Sequence, residues 1–167
     1  DGKATFLTDE WKRDEGKGGS GKTRVIAQGG IFEKGGVNTS VVYGKVTDNM
    51  RKQLGMDGDR WFACGLSLVI HPANPFVPTV HANWRYFELY DDSGTVTDRW
   101  FGGGADLTPY YLFEEDAKHF HGTFKTAMQP FGATLYPEYK KNCDEYFNNA
   151  HRGFETRGIG GVFYDHR

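Results

Sequence analysis

The chain of 167 residues carries 20 Lys and Arg against 22 Asp and Glu, and its net charge of −2 gives no global reason to expect nucleic acid. Its length and aromatic-rich composition suit one domain with a real core, and no apolar run approaches a membrane span. Cys64 and Cys143 are too few for a disulfide framework and lack zinc-finger spacing, which favours a reducing compartment.

The first 22 residues are charged and glycine-rich. Gly16-Lys-Gly-Gly-Ser-Gly-Lys-Thr23 matches the phosphate-loop pattern letter for letter. A working phosphate loop follows a buried strand and opens a helix, whereas here the approach is charged and the continuation strand-like, so a mobile glycine-rich loop is the better reading. Residues 25–28, 37–46, 62–71, 79–90 and 96–101 are β-branched or aromatic stretches broken by glycine, and read as successive strands of an antiparallel sheet. Asp91-Asp-Ser-Gly94 is a turn signal between the last two.

Trp100-Phe-Gly-Gly-Gly-Ala-Asp106 then sets a carboxylate beside three glycines, between an aromatic strand and a predicted helix. Such a run reads either as a tight turn or as a place where a large flat ligand approaches the backbone. Helical periodicity follows over residues 114–129, with three acidic residues in the first turn, and over residues 137–154, with Pro137 in the first turn. A glycine-led strand over residues 158–165 comes last. A sheet followed by helices argues for an α+β architecture. The chain starts at Asp1 without methionine and stops just after an apolar segment, so we expect residues 1–167 to be a single domain that is part of a longer one.

Alternation supplies the candidate chemistry. A strand over residues 80–87 sends Val80, Ala82, Trp84 and Tyr86 to one face and His81, Asn83 and Arg85 to the other. Ser67, Val69 and His71 share a face of the preceding strand, so the two strands can bring polar groups into one cleft. On the helices, His119 and His121 point apart and cannot chelate one ion together. His121 falls on the inner stripe with Ala117, Phe124 and Met128, and His151 near the inner stripe of its own helix. His71, His81, His121 and His151 are therefore either ligands of one metal or separate core histidines. Arg152 and Arg157 flank the turn before the last strand, as a solvated helix end or as anion clamps.

Several ordered motifs then converge. Ser67-Leu-Val-Ile-His-Pro-Ala-Asn-Pro75, Pro78-Thr-Val-His-Ala-Asn-Trp-Arg-Tyr-Phe-Glu88, Trp100-Phe-Gly-Gly-Gly-Ala-Asp-Leu-Thr-Pro109, Glu115-Asp-Ala-Lys-His-Phe-His121 and Arg157-Gly-Ile-Gly-Gly161 together resemble the oxygen-dependent coproporphyrinogen III oxidases. The resemblance implies a large flat antiparallel sheet flanked by helices on both faces, of which this chain is the N-terminal part, and a homodimer. It implies oxidative decarboxylation of two propionates of coproporphyrinogen III to vinyl groups, with O2 as oxidant and protoporphyrinogen IX as product.

No flavin or heme is implied. By resemblance, His81 is a proton donor, Asp106 faces the pyrrole N–H groups, Arg85 grips a carboxylate, and Ser67, Asn83 and Trp84 contact substrate. His71, His81, His121 and His151 match positions credited with a metal in bacterial relatives, an assignment that competes with His81 as proton donor. No nucleic acid and no integral membrane segment are expected, and the compartment is the cytoplasm, with the mitochondrial intermembrane space as the alternative.

Overall fold

The computed structural model describes residues 1–14 and 18–167. Seven antiparallel strands form one sheet in which sequence order is also spatial order: β1 (Leu7–Lys12), β2 (Gly19–Ala27), β3 (Phe32–Lys45), β4 (Arg60–Pro72), β5 (Thr79–Tyr90), β6 (Val96–Thr108) and β7 (Gly161–Tyr164). Helix α1 (Asp48–Leu54) bridges β3 and β4. Helices α2 (Glu114–Met128) and α3 (Leu135–Tyr146) fall between β6 and β7. The α+β class and the antiparallel sheet are as the sequence predicts.

Local chemistry explains several boundaries. Thr47 caps α1 by accepting from the Met50 N–H, and Gly55 ends it in the left-handed region at φ 63°. Between β5 and β6, Asp91 accepts the backbone N–H of Thr95 at 2.8 Å and Gly94 takes φ 86°, as the turn signal requires. The three acidic residues predicted at the start of α2 do occupy its first turn.

Four expectations are corrected. The glycine run at Gly102, Gly103 and Gly104 is neither a turn nor a strand end, because β6 continues through it, all three paired with β5 and the last two also with β7. Hydrogen bonding on both edges overrides the low strand propensity of glycine. The stretch expected to be a mobile loop is strand β2 from Gly19 onward, with Gly18 just before it and position 16 outside the described residues. Thr23 lies mid-strand instead of opening a helix, which agrees with setting the phosphate-loop pattern aside. The second long helix stops at Tyr146 and gives way to a short 3₁₀ turn at Ala150–Arg152. Finally, β1 and α1 are elements the sequence reading did not assign.

The buried residues cluster in the later strands and α3. Ala82, Ala105 and Val162 stand side by side on β5, β6 and β7, each nearly buried. Helix α3 lies along β7, its Tyr139 stacking on Tyr164 at 4.8 Å and its Tyr146 on Phe163 at 4.1 Å. Since adjacent strand residues face opposite ways, α3 touches both sides of the sheet at that edge.

Candidate active site

Strand register assembles the polar face residue by residue. Val69 of β4 pairs with His81 of β5, and His81 with Asp106 of β6; one step along, Ser67 pairs with Asn83 and Asn83 with Gly104; the next row is Gly65, Arg85 and Gly102. On β3 the same rows continue with Gly36, Asn38 and Ser40. The floor is therefore built of glycines, serines and asparagines around one branched residue, Val69, with His81, Arg85 and Asp106 standing above it. A cleft of about 290 Å³ lies over this floor, walled by Tyr146, Phe147, Arg157 and Phe163. A hollow of about 170 Å³ continues from it toward Asn38 and Ser40 and shares Ser67, Asn83 and Arg85.

Asp106 is the hub. Its Oδ1 accepts from His81 Nδ1 at 3.1 Å and from Arg157 Nε at 3.0 Å, while Oδ2 accepts from Arg157 Nη2. The side chain is 4% exposed. Burial alone disfavours its charge, but the hydrogen bonds from His81 and Arg157, together with the charge of Arg157, prevail and hold the carboxyl below its ordinary range. An ionised carboxylate only accepts, so a proton sits on His81 Nδ1, and Nε2 is the ring nitrogen without that bond. One lone-pair position of Oδ2 also stays free of protein partners among the described residues.

The turn Arg157-Gly-Ile-Gly-Gly161 delivers Arg157 to this place. Gly158 at φ 55° and Gly160 at φ 72° require the absence of a side chain, and a Cβ on Gly158 would lie 2.2 Å from the Leu107 carbonyl oxygen. The Ile159 N–H donates to the Leu107 carbonyl at 3.0 Å and the Leu107 N–H to Gly160, which clips the turn to the end of β6. Arg157 also lies 3.6 Å above the ring of Phe147, a cation–π contact that fixes its plane. Beneath the site, burial and the nearby carboxylates of Asp106 and Asp144 push the Cys143 thiol up to about 11, so it stays protonated.

Arg85 is engaged differently. Its Nη1 donates to Asn83 Oδ1 at 2.8 Å and its Nη2 to Asp165 Oδ1 at 2.6 Å. Arg85 and Asp165 are 32% and 33% exposed.

The four histidines matched to a metal do not converge. His71 and His81 are neighbours, with ring centroids 6.5 Å apart, but His121 donates Nε2–H to the Ile159 carbonyl at 3.0 Å and His151 is exposed on the 3₁₀ turn. Among the described residues no three His, Cys, Asp or Glu side chains gather as a metal site. These residues do not fit one ion, and His121 instead anchors α2 to the turn that carries Arg157.

Of the predicted substrate contacts, Ser67, Asn83 and Arg85 line the cleft, as do His81 and Asp106. Trp84 does not: it projects from the opposite face, beside Leu66, Tyr86 and Phe101 in a larger groove of about 660 Å³. Alternation along β5 made that unavoidable once Asn83 and Arg85 faced the cleft.

The family model for coproporphyrinogen III oxidase matches residues 1–167. The chain belongs to the coproporphyrinogen III oxidase family. Relatives in this family include the oxygen-dependent coproporphyrinogen-III oxidase of Prochlorococcus marinus, 50% identical over 100% of this chain and 46% of that protein. The chloroplastic enzyme of Glycine max is 50% identical over 99% of this chain and 45% of its own length, and the mitochondrial enzyme of Rattus norvegicus 49% identical over 99% and 38%. The chain thus spans less than half the length of the curated relatives it matches.

Within this member of the coproporphyrinogen III oxidase family, sequence reasoning left Arg157 among open alternatives and missed Asp165. The signal for Arg157 was the glycine pattern after it, which implies a tight turn against another element. Nothing local distinguishes Asp165 from a surface aspartate.

Proposed function

We propose that this chain forms the substrate-binding floor and proton-handling wall of an oxygen-dependent coproporphyrinogen III oxidase. The observation that carries the reading is the pairing of a buried, ionised Asp106 with His81 and Arg157 at the rim of a floor of small residues. A flat macrocycle can rest on such a floor, meeting a branched side chain only at Val69. Asp106 offers its free lone pair to the pyrrole N–H groups, and Arg157 keeps it charged while water is displaced. Arg85, held by Asn83, grips a propionate.

The chemistry assigned to these residues balances for each propionate. Hydrogen bonding to Asp106, with loss of the N–H proton, enriches the pyrrole in electrons. The C–H bond on the side-chain carbon next to the pyrrole breaks, and its two electrons and proton, with one further proton, pass to O2, which leaves as hydrogen peroxide. The bond to the carboxylate carbon then breaks to release CO2, its electron pair becoming the second bond of the vinyl group. His81 exchanges a proton at Nε2, its imidazolium form being stabilised by Asp106 across Nδ1. O2 is the co-substrate; no further cofactor is part of this reading, and no step runs through a metal. The homodimer expected from the resemblance belongs to it as well, as does a cytoplasmic compartment, with the mitochondrial intermembrane space as the alternative. No helix of the described residues is long and apolar enough to cross a membrane.

A second reading, tetrapyrrole binding without turnover, is favoured by the chain spanning less than half the length of its relatives. One experiment separates the two. The chain is incubated with coproporphyrinogen III first anaerobically and then with O2, and CO2 and protoporphyrinogen are measured. We expect product only with O2, and a loss of about 10²-fold or more in kcat for Asp106→Asn. Binding without CO2 release supports the second reading, and undiminished turnover by the variant would remove Asp106 from the chemistry.

A further inference from the structure

Asp165 holds the place on Arg85 that a substrate carboxylate needs. The guanidinium reaches from β5 and the carboxylate from the residue just after β7, and they meet above β6 with Nη2 and Oδ1 2.6 Å apart. Gly102 lies directly beneath: a Cβ there would sit 2.1 Å from Asp165 Oδ1 and 2.8 Å from Arg85 Nε. The first glycine of the run thus makes room for an ion pair spanning three strands.

Among the described residues, charges around the cleft balance in pairs, Asp106 with Arg157 and Asp165 with Arg85. An anionic ligand gains a free cation only if one pair opens. Asp106 and Arg157 share two hydrogen bonds with the carboxylate buried, and His81 adds a third, so that pair stays closed. Arg85 and Asp165 share a single bond, and each is about one-third exposed. That is the weaker lock.

We propose that Asp165 is a built-in competing carboxylate, displaced from Arg85 by a propionate of the incoming tetrapyrrole, and so sets the selectivity of this subsite for carboxylated ligands. Asn83 keeps the guanidinium oriented during the exchange, because its bond is to Nη1 and not to the nitrogen being exchanged. The inference rests on the reading of Arg85 as the carboxylate grip.

The test titrates the 167-residue chain with coproporphyrin III, which carries four carboxylates, and with its tetramethyl ester, which carries none, following porphyrin fluorescence. Asp165→Asn and Asp165→Ser should bind the acid about fivefold more tightly than the parent, the size expected for release of a part-exposed ion pair, and the ester unchanged. Weaker binding of the acid by both variants would make Asp165 a support for Arg85 and overturn the competition, as would equal tightening for acid and ester. Arg85→Ala separates the two layers. If the parent binds the acid and Arg85→Ala binds it equally well, the grip reading fails and takes the competition with it; if Arg85→Ala weakens binding but the Asp165 variants match the parent, only the competition fails. Absence of acid binding by the parent and both Asp165 variants also overturns both.

Discussion

Arg157 does for Asp106 what no other described cation can, because only it reaches both carboxylate oxygens. Replacing it with methionine leaves a buried carboxylate with His81 alone. We expect Arg157→Met to cost about 3 kcal/mol at pH 7 in urea unfolding, the low end for breaking a buried pair because the arginine is itself partly exposed. The pH dependence has a definite sign. The folded carboxyl lies below its unfolded value of about 4, so the contribution is complete above that pH and is lost as pH falls through the folded value. The difference between parent and variant should therefore shrink in acid; an equal loss at pH 7 and pH 3 would assign the effect to packing on Phe147 instead. At this scale the sequence was legible where alternation decides. His81, Asn83 and Arg85 face the cleft as a period of two demands, and Trp84 faces away for the same reason. Asp165 was illegible because its partner is 80 residues away.

Among the elements, β6 and β7 show how glycine marks close approach. A Cβ on Gly161 would lie 1.8 Å from the Ala105 carbonyl oxygen, a backbone atom that cannot step aside, whereas a Cβ on Gly36 meets nothing within 4 Å. Gly161→Ala should therefore destabilise by about 3 kcal/mol or more as β7 is pushed off β6, and Gly36→Ala should stabilise by about 0.5 kcal/mol through the unfolded chain. Thermal melts of the two variants check the contrast, and similar shifts for both would refute it. The same strands mark where element boundaries escaped the sequence. Glycine depresses strand propensity, so the reading ended β6 at Phe101, yet pairing with β5 carries it to Thr108 and pairing with β7 supports it from Gly103 to Asp106. Likewise β1 is charged and almost wholly exposed, which hides the alternation that identifies a half-buried strand.

Over the whole molecule, the sheet grades from a thin edge to a packed one. At one end β1 pairs with a single neighbour and exposes nearly every side chain; at the other, β6 and β7 hold Ala105, Asp106 and Val162 at 5% exposure or less. Amide hydrogen exchange should follow that gradient, slowest in β5 and β6 and fastest in β1. Peptides from β1 that exchange as slowly as those from β5 would contradict it.

Asp106 meets His81 and Arg157 across separations of 25 and 51 residues, both measured along a chain whose strands otherwise join their immediate predecessors. The consequence is one of timing. As the chain is made, β1 to β6 can zip together in order while the carboxylate at their edge still needs water. Only when Arg157 emerges is its charge matched, so closing the last strand and neutralising the site are one event.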